Sequence, residues 1–131
     1  MAEKNGHKIL VIEDEPFIGR VCVKTLSSEG FEVDVASNGL IALEMLVKKK
    51  YDLIFSDVRT PNMNGIEFYK HIKEQDPSLA NRIIFTSGDI MSPDVKEFMS
   101  TNQNPFLAKP FMPDELRAIV RKAISSDNPA V

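Results

Sequence analysis

Residues 51–65 constrain this chain more than any other stretch, because an apolar run stops abruptly at an acid and gives way to turn-forming residues. Leu53-Ile54-Phe55 is closed by Ser56-Asp57 and then by Thr60-Pro61-Asn62. A short apolar run bounded in this way predicts a strand buried on both faces. Asp57 then stands at the strand's carboxyl end. In open α/β sheets ligands collect in the crevice outside the carboxyl ends of the strands, so an acid there is placed for chemistry. A lone acid at such a point reads first as a cap for the following turn, and other residues must decide.

The chain on either side repeats the pattern. Lys8–Ile12 is rich in β-branched residues and ends at Glu13-Asp14-Glu15-Pro16. Pro16 falls where a helix begins, since its missing N–H costs nothing at the first helical position. Ile18, Val21, Cys22, Thr25 and Leu26 follow at helical spacing, and Gly30 ends that helix. Phe31, Val33 and Val35 alternate with Glu32 and Asp34, which predicts an edge strand with one face less buried. Ser37 or Asn38 caps a second helix carrying Ile41, Ala42, Met45 and Leu46, and the basic run Lys48-Lys49-Lys50 closes it, favourably for a helix C-terminus.

Asn64-Gly65 introduces a third helix, with Ile66, Phe68, Tyr69 and Ile72 apolar, ending before Asp76-Pro77. A fourth strand is predicted over 82–86, running into Thr86-Ser87-Gly88, and Ser92-Pro93-Asp94 opens a short fourth helix through Val95, Phe98 and Met99. Residues 105–108 form a fifth, short strand followed by Lys109-Pro110. Pro113-Asp114-Glu115 starts the last helix, whose apolar face is Leu116, Ile119, Val120, Ala123 and Ile124, and Ser125 onward is expected to fray.

Five strands alternating with five helices predict an α/β fold with one doubly wound parallel sheet and right-handed crossovers. Every polar candidate then falls on one rim. Glu13 and Asp14 end the first strand, Asp57 the third, Thr86 the fourth and Lys109 the fifth. That convergence lifts Asp57 above a turn cap. Carboxylates gathered at one point raise each other's pKa unless a cation joins them. Acid and carbonyl oxygens suit Mg²⁺ (or Mn²⁺), and Mg²⁺ often shares its site with phosphate oxygens.

Composition limits what this site can serve. The 131 residues suit one domain, expected over 8–125 between a polar lead (1–7) and a frayed tail (126–131). With 43% hydrophobic and 27% charged residues the chain is an ordinary globular one. No apolar stretch approaches the roughly 20 residues needed to span a bilayer, and the polar lead is unlike a signal peptide, so no membrane association and a cytoplasmic location are expected. A net charge of −3 argues against direct nucleic-acid binding. Cys22 is expected to be a buried thiol, and His7 and His71 match no ligand spacing.

The set Glu13-Asp14, Asp57, Thr86 and Lys109-Pro110, in order and at strand ends, resembles the receiver domain of two-component response regulators, from Lys8 to about Ile124. The resemblance implies a flavodoxin-like sheet of order 2-1-3-4-5. It implies that Asp57 accepts a phosphoryl group from a histidine kinase or histidine phosphotransfer domain and later loses it, a self-directed reaction and not turnover of an external substrate. Asp14, Asp57 and the Arg59 backbone carbonyl would hold the metal, with Glu13 acting through water. Thr86 and Lys109 would hold phosphoryl oxygens, Phe106 would change rotamer with Thr86 as the switch, and Lys109-Pro110 would be a cis peptide. Arg59, pointing outward and able to lie over the phosphoryl oxygens, and Gly88 would flank the mouth and tune phosphoryl loss. A downstream protein or domain would dock on the face of the fourth helix, fifth strand and fifth helix. Glu13 stands where the family more often has Asp, and Phe106 lacks a tyrosine's hydroxyl.

Two rival readings remain. A nucleotide- or flavin-binding enzyme would need a glycine loop after the first strand, where this chain has acids. A degenerate receiver acting only as a docking module would lack the acceptor or the lysine, and both are present.

Overall fold

A computed structural model describes residues 4–126. Of the expected lead and tail, 1–3 and 127–131 lie outside the described residues. The strands are β1 (Lys8–Ile12), β2 (Glu32–Ala36), β3 (Leu53–Asp57), β4 (Ile83–Ser87) and β5 (Phe106–Ala108). They form one five-stranded parallel sheet of order β2-β1-β3-β4-β5. Side chains alternate across each strand, so every central strand feeds two cores. Leu10, Ile12, Ile54, Ile83 and Phe85 enter one, and Ile9, Val11, Leu53, Phe55 and Ile84 the other. This is why β1, β3 and β4 read as unbroken apolar runs, while β2 at the edge is half exposed.

The described residues hold six helices where five were expected: α1 (Pro16–Ser27), α2 (Gly39–Lys48), α3 (Gly65–Gln75), α4 (Pro77–Ala80), α5 (Pro93–Thr101) and α6 (Pro113–Ser126). The extra one is α4. Asp76-Pro77 does stop α3, but the same pair starts a new turn, the Asp76 carboxylate accepting the Leu79 N–H at 3.2 Å with Pro77 at the first helical position. Leu79 and Ala80 are buried by that turn. β4 starts and ends one residue later than expected, and α6 continues through Ser126. Asn38, not Ser37, caps α2, accepting the Ile41 N–H at 3.0 Å. Asn64 and Glu67 close a reciprocal capping box on α3.

Leu26, Leu116 and Val120 from α1 and α6 pack with the second core, while Ala42, Phe68, Ile72 and Val95 from α2, α3 and α5 pack with the first. Among the described residues no helix is long and apolar enough to cross a membrane.

Candidate functional site

The backbone ladder carries the polar residues onto the rim. Asp57 and Thr86 are register partners on β3 and β4. Beyond the strand ends, the Val58 N–H donates to the Thr86 carbonyl at 2.9 Å and the Lys109 N–H to the Ser87 carbonyl at 3.0 Å. On the other side the Glu13 N–H donates to the Ala36 carbonyl at 2.9 Å. The turn after β3 is pressed against the acceptor strand at Gly65: a Cβ there would lie 2.6 Å from the Asp57 carbonyl oxygen and 2.9 Å from the Val58 Cα. Only glycine lets α3 begin so close, which fixes the loop carrying Arg59.

Lys109 stands at the centre of the charges. Its Nζ lies 2.5 Å from Asp57 Oδ2, 2.9 Å from Glu13 Oε2 and 3.4 Å from Glu15 Oε1. Carboxylate oxygens of Glu13, Asp14 and Asp57 come within 4.8 Å of one another. Glu13 and Asp57 are 3% and 4% exposed, whereas Asp14 is open to solvent. Burial pushes the Glu13 carboxyl up to about 7; the Lys109 ammonium opposes that shift and the Asp57 charge adds to it. Burial works against the Lys109 charge, but its bonds to Asp57 and Glu13 outweigh burial and hold the ammonium above its usual range. Thr86 is fully buried and its Oγ1 has no hydrogen-bond partner among the described residues. A hydroxyl left so is costly unless something else binds it.

These donors fit a hard divalent cation and an oxyanion beside it. The acid oxygens are the ligand type such cations take, the unpartnered Thr86 hydroxyl can donate to an oxygen atom beside them, and the Lys109 ammonium, held by Asp57 and Glu13, brings positive charge to the same point.

Against expectation, Lys109 already bridges the acids, so their repulsion is partly met within the chain. Glu13 is buried against Lys109 itself, and Asp14 is the solvent-facing acid of the pair. Arg59 points outward, its side chain 43% exposed. Its N–H donates to Asp57 Oδ1 at 2.9 Å, but its guanidinium is turned across to the β4–α5 loop, donating to Asp89, Ser92 and Asp94. Lys109-Pro110 is cis. Phe106 is half-buried beside Phe85, its register partner, at a cavity of about 50 Å³ also lined by Phe98, Met99, Asn102 and Asn104. Gly88 is open: a Cβ there would first meet the Lys109 Cβ at 3.7 Å. Cys22 is fully buried, which pushes its thiol up to about 12, as suits a packing residue. The sequence reading missed Glu15, Ser87 and Asp89; Ser87 Oγ accepts the Asp89 N–H at 2.9 Å and shapes the loop after Thr86. A second acid after Asp14 and a hydroxyl after Thr86 were the available signals.

Residues 9–121 match the family model described as the response regulator receiver domain. The chain belongs to that family. Its receiver fold is shared by the receiver domain of a sensor histidine kinase from Pseudomonas aeruginosa, crystallised with magnesium coordinated in the active-site cleft, at TM-score 0.80 and 30% identity over 92% of this chain and 98% of that one. A Thermotoga maritima response regulator in complex with Mg²⁺ and BeF matches at TM-score 0.76 and 31% identity, over 89% of this chain and 98% of that one. By sequence, the receiver is 34% identical to sporulation initiation phosphotransferase F of Bacillus subtilis, over 89% of this chain and 93% of the relative. It is 38% identical to hybrid signal transduction histidine kinase K of Dictyostelium discoideum, over 89% of this chain but 10% of that protein. The chain thus spans between a tenth and three-fifths of the length of the first curated relatives it matches.

Proposed function

We propose that this receiver domain takes a phosphoryl group onto Asp57 from the phosphohistidine of a histidine kinase or histidine phosphotransfer domain, and later loses it to water. The observation that carries this reading is the juxtaposition of the Asp57 carboxylate, the Lys109 ammonium and the unpartnered Thr86 hydroxyl at one strand rim. A carboxylate oxygen of Asp57 attacks phosphorus as the donor's P–N bond breaks, and the bonding pair leaves on the imidazole nitrogen. Lys109 follows the developing charge on the phosphoryl oxygens, and Thr86 donates its hydrogen bond to one of them. Phosphoryl transfer needs such positioning and neutralisation more than covalent help.

Asp14, Asp57 and the Arg59 carbonyl would hold Mg²⁺, with Glu13 beyond them acting through water. When bound, the ion would neutralise carboxylate and phosphoryl charge together. The domain acts on itself and turns over no other substrate in this reading. A cytoplasmic setting goes with these partners. Thr86 moving to the new oxyanion would draw the β4–α5 loop inward and change the room beside Phe106. A downstream partner would dock on the α5–β5–α6 face; exposed apolar side chains stand just before its two helices, Ile90 and Met91 in the loop before α5 and Met112 in the turn before α6, at 40%, 73% and 66% exposure.

The test is labelling with acetyl phosphate and Mg²⁺, read by intact mass. One hydroxylamine-labile phosphoryl group is expected on wild type and none on Asp57→Asn. Equal labelling of the variant refutes the assignment, and an unlabelled wild type favours the docking-module alternative.

A further inference from the structure

Arg59 is where the acceptor and helix α5 meet. Its backbone N–H donates to Asp57 Oδ1 at 2.9 Å. Through one guanidinium nitrogen, Nη2, its side chain contacts Asp89 Oδ2 at 3.1 Å, Ser92 Oγ at 2.8 Å and Asp94 Oδ1 at 2.7 Å. The residue that grips the acceptor carboxylate therefore also ties down the loop after β4 and the first turn of α5.

We propose that this clasp is an exchangeable ion pair. In the unmodified protein Arg59 holds Asp89 and Asp94; in the phosphorylated protein its guanidinium passes to the phosphoryl oxygens and releases the loop. This deepens the function proposed above and rests on it.

Three features favour exchange over a fixed tie. The partners are half in water, with side-chain exposures of 43% for Arg59, 53% for Asp89 and 54% for Asp94. Ion pairs this exposed are weak, so a nearby competitor can displace them. The competitor is strong, because a phosphoryl group brings roughly 1.5 to 2 negative charges and three acceptor oxygens that suit a guanidinium. Lys109, the cation bonded to the acceptor carboxylate, is already divided between Asp57 and Glu13. Release also leaves the acids supported. Asp94 keeps the Ser92 hydroxyl at 2.8 Å and sits in the first turn of α5, where the helix dipole favours a negative charge.

The consequence is a second link from phosphoryl group to α5, independent of Thr86. Thr86 would pull the loop from below while loss of Arg59 loosens it from the side. The two movements act on the same segment, residues 88–95.

The test pairs hydrogen exchange with phosphoryl lifetime. In unmodified protein, Arg59→Ala should speed amide exchange over residues 88–95 by about three- to tenfold, as expected for losing two exposed ion pairs, and Arg59→Lys should restore part of the protection. Phosphorylated wild type should show the same fast exchange. Asp89→Asn with Asp94→Asn frees Arg59 for the phosphoryl group and should lengthen its lifetime about three- to tenfold. That lengthening should vanish in an Arg59→Ala background, which a merely structural role for the acids would not produce. Unchanged exchange in Arg59→Ala, or a lengthening that survives without Arg59, overturns the clasp. A wild type that takes no phosphoryl group overturns the functional reading instead, and the clasp is then judged on the unmodified exchange alone.

Discussion

Two clusters in this molecule use one recipe, a lysine between two carboxylates, and burial makes them opposites. At the rim, Lys109 lies between Asp57 and Glu13, all three nearly enclosed. At the edge strand, Lys49 lies between Glu32 and Asp34, at 2.8 Å from Asp34 Oδ2, with side-chain exposures of 31%, 52% and 33%. The Tyr51 hydroxyl donates to Asp34 at 2.6 Å and completes that network. Water shares the load at the edge, so hydrogen bonds from Lys49 hold the Glu32 and Asp34 carboxyls below their usual range. Burial wins at the rim, so the Glu13 carboxyl is pushed up instead. The edge cluster is satisfied as it stands; the rim cluster keeps an excess of acid and an unpartnered hydroxyl. A site left unsatisfied inside the fold is one that a ligand can complete.

Breaking each lysine separates the clusters most sharply. Lys109→Met should slow labelling of Asp57 by about a hundredfold or more, the usual cost of removing one donor aimed at a developing oxyanion. Lys49→Met should leave the rate within about twofold, since exposed pairs far from the reaction contribute little. Initial rates with acetyl phosphate compare the two.

The pH dependences should have opposite signs. Glu13 binds its proton more tightly folded than unfolded, with a folded value of about 7 against 4.5. Between those values the folded state holds more protons, so metal-free stability falls as pH rises, by on the order of 3 kcal/mol relative to Glu13→Gln. Asp34 is held below its ordinary 3.8, so its contribution is present above that pH and is lost as pH falls through the folded value. Urea unfolding in EDTA at several pH values, for wild type, Glu13→Gln and Asp34→Asn, resolves both slopes.

Smaller effects test the surroundings. Gly88→Leu should lengthen the phosphoryl lifetime up to about tenfold by blocking water, since its Cβ clears Lys109, while Arg59→Ala should change it by no more than about tenfold. Decay of purified phosphoprotein in Mg²⁺ measures this, and unchanged or faster decay in Gly88→Leu rules out water access beside Thr86 as the control. At the edge, Tyr51→Phe should cost about 1 kcal/mol, one hydrogen bond to a carboxylate, without altering labelling.

The sheet was legible because β1, β3 and β4 each carry apolar residues on both faces and end at polar groups, so strand ends and site residues announced one another. The missing helix was not. Asp76-Pro77 is a stop signal and a start signal at once, and only the burial of Leu79 and Ala80 decides for a new turn. The rim's membership was readable, but its pairing was not. Which of two adjacent acids is buried depends on the side to which the chain turns after β1. Whether Lys109 reaches Glu13 depends on contacts spanning the whole sheet. The Arg59 clasp joins residues 30, 33 and 35 positions apart, with no periodicity to mark it.

The central claim is that the rim acids are crowded until a divalent cation completes them, and thermal melting of wild type and Asp57→Asn, each in EDTA and in Mg²⁺, tests it most directly. Removing Asp57 leaves Lys109 to Glu13 and thins the acid excess, so the variant should melt higher than wild type in EDTA. Mg²⁺ should raise wild type by the larger amount, because it gains where acid is in excess. Coincident melting curves in EDTA, with equal shifts in Mg²⁺, would contradict the account.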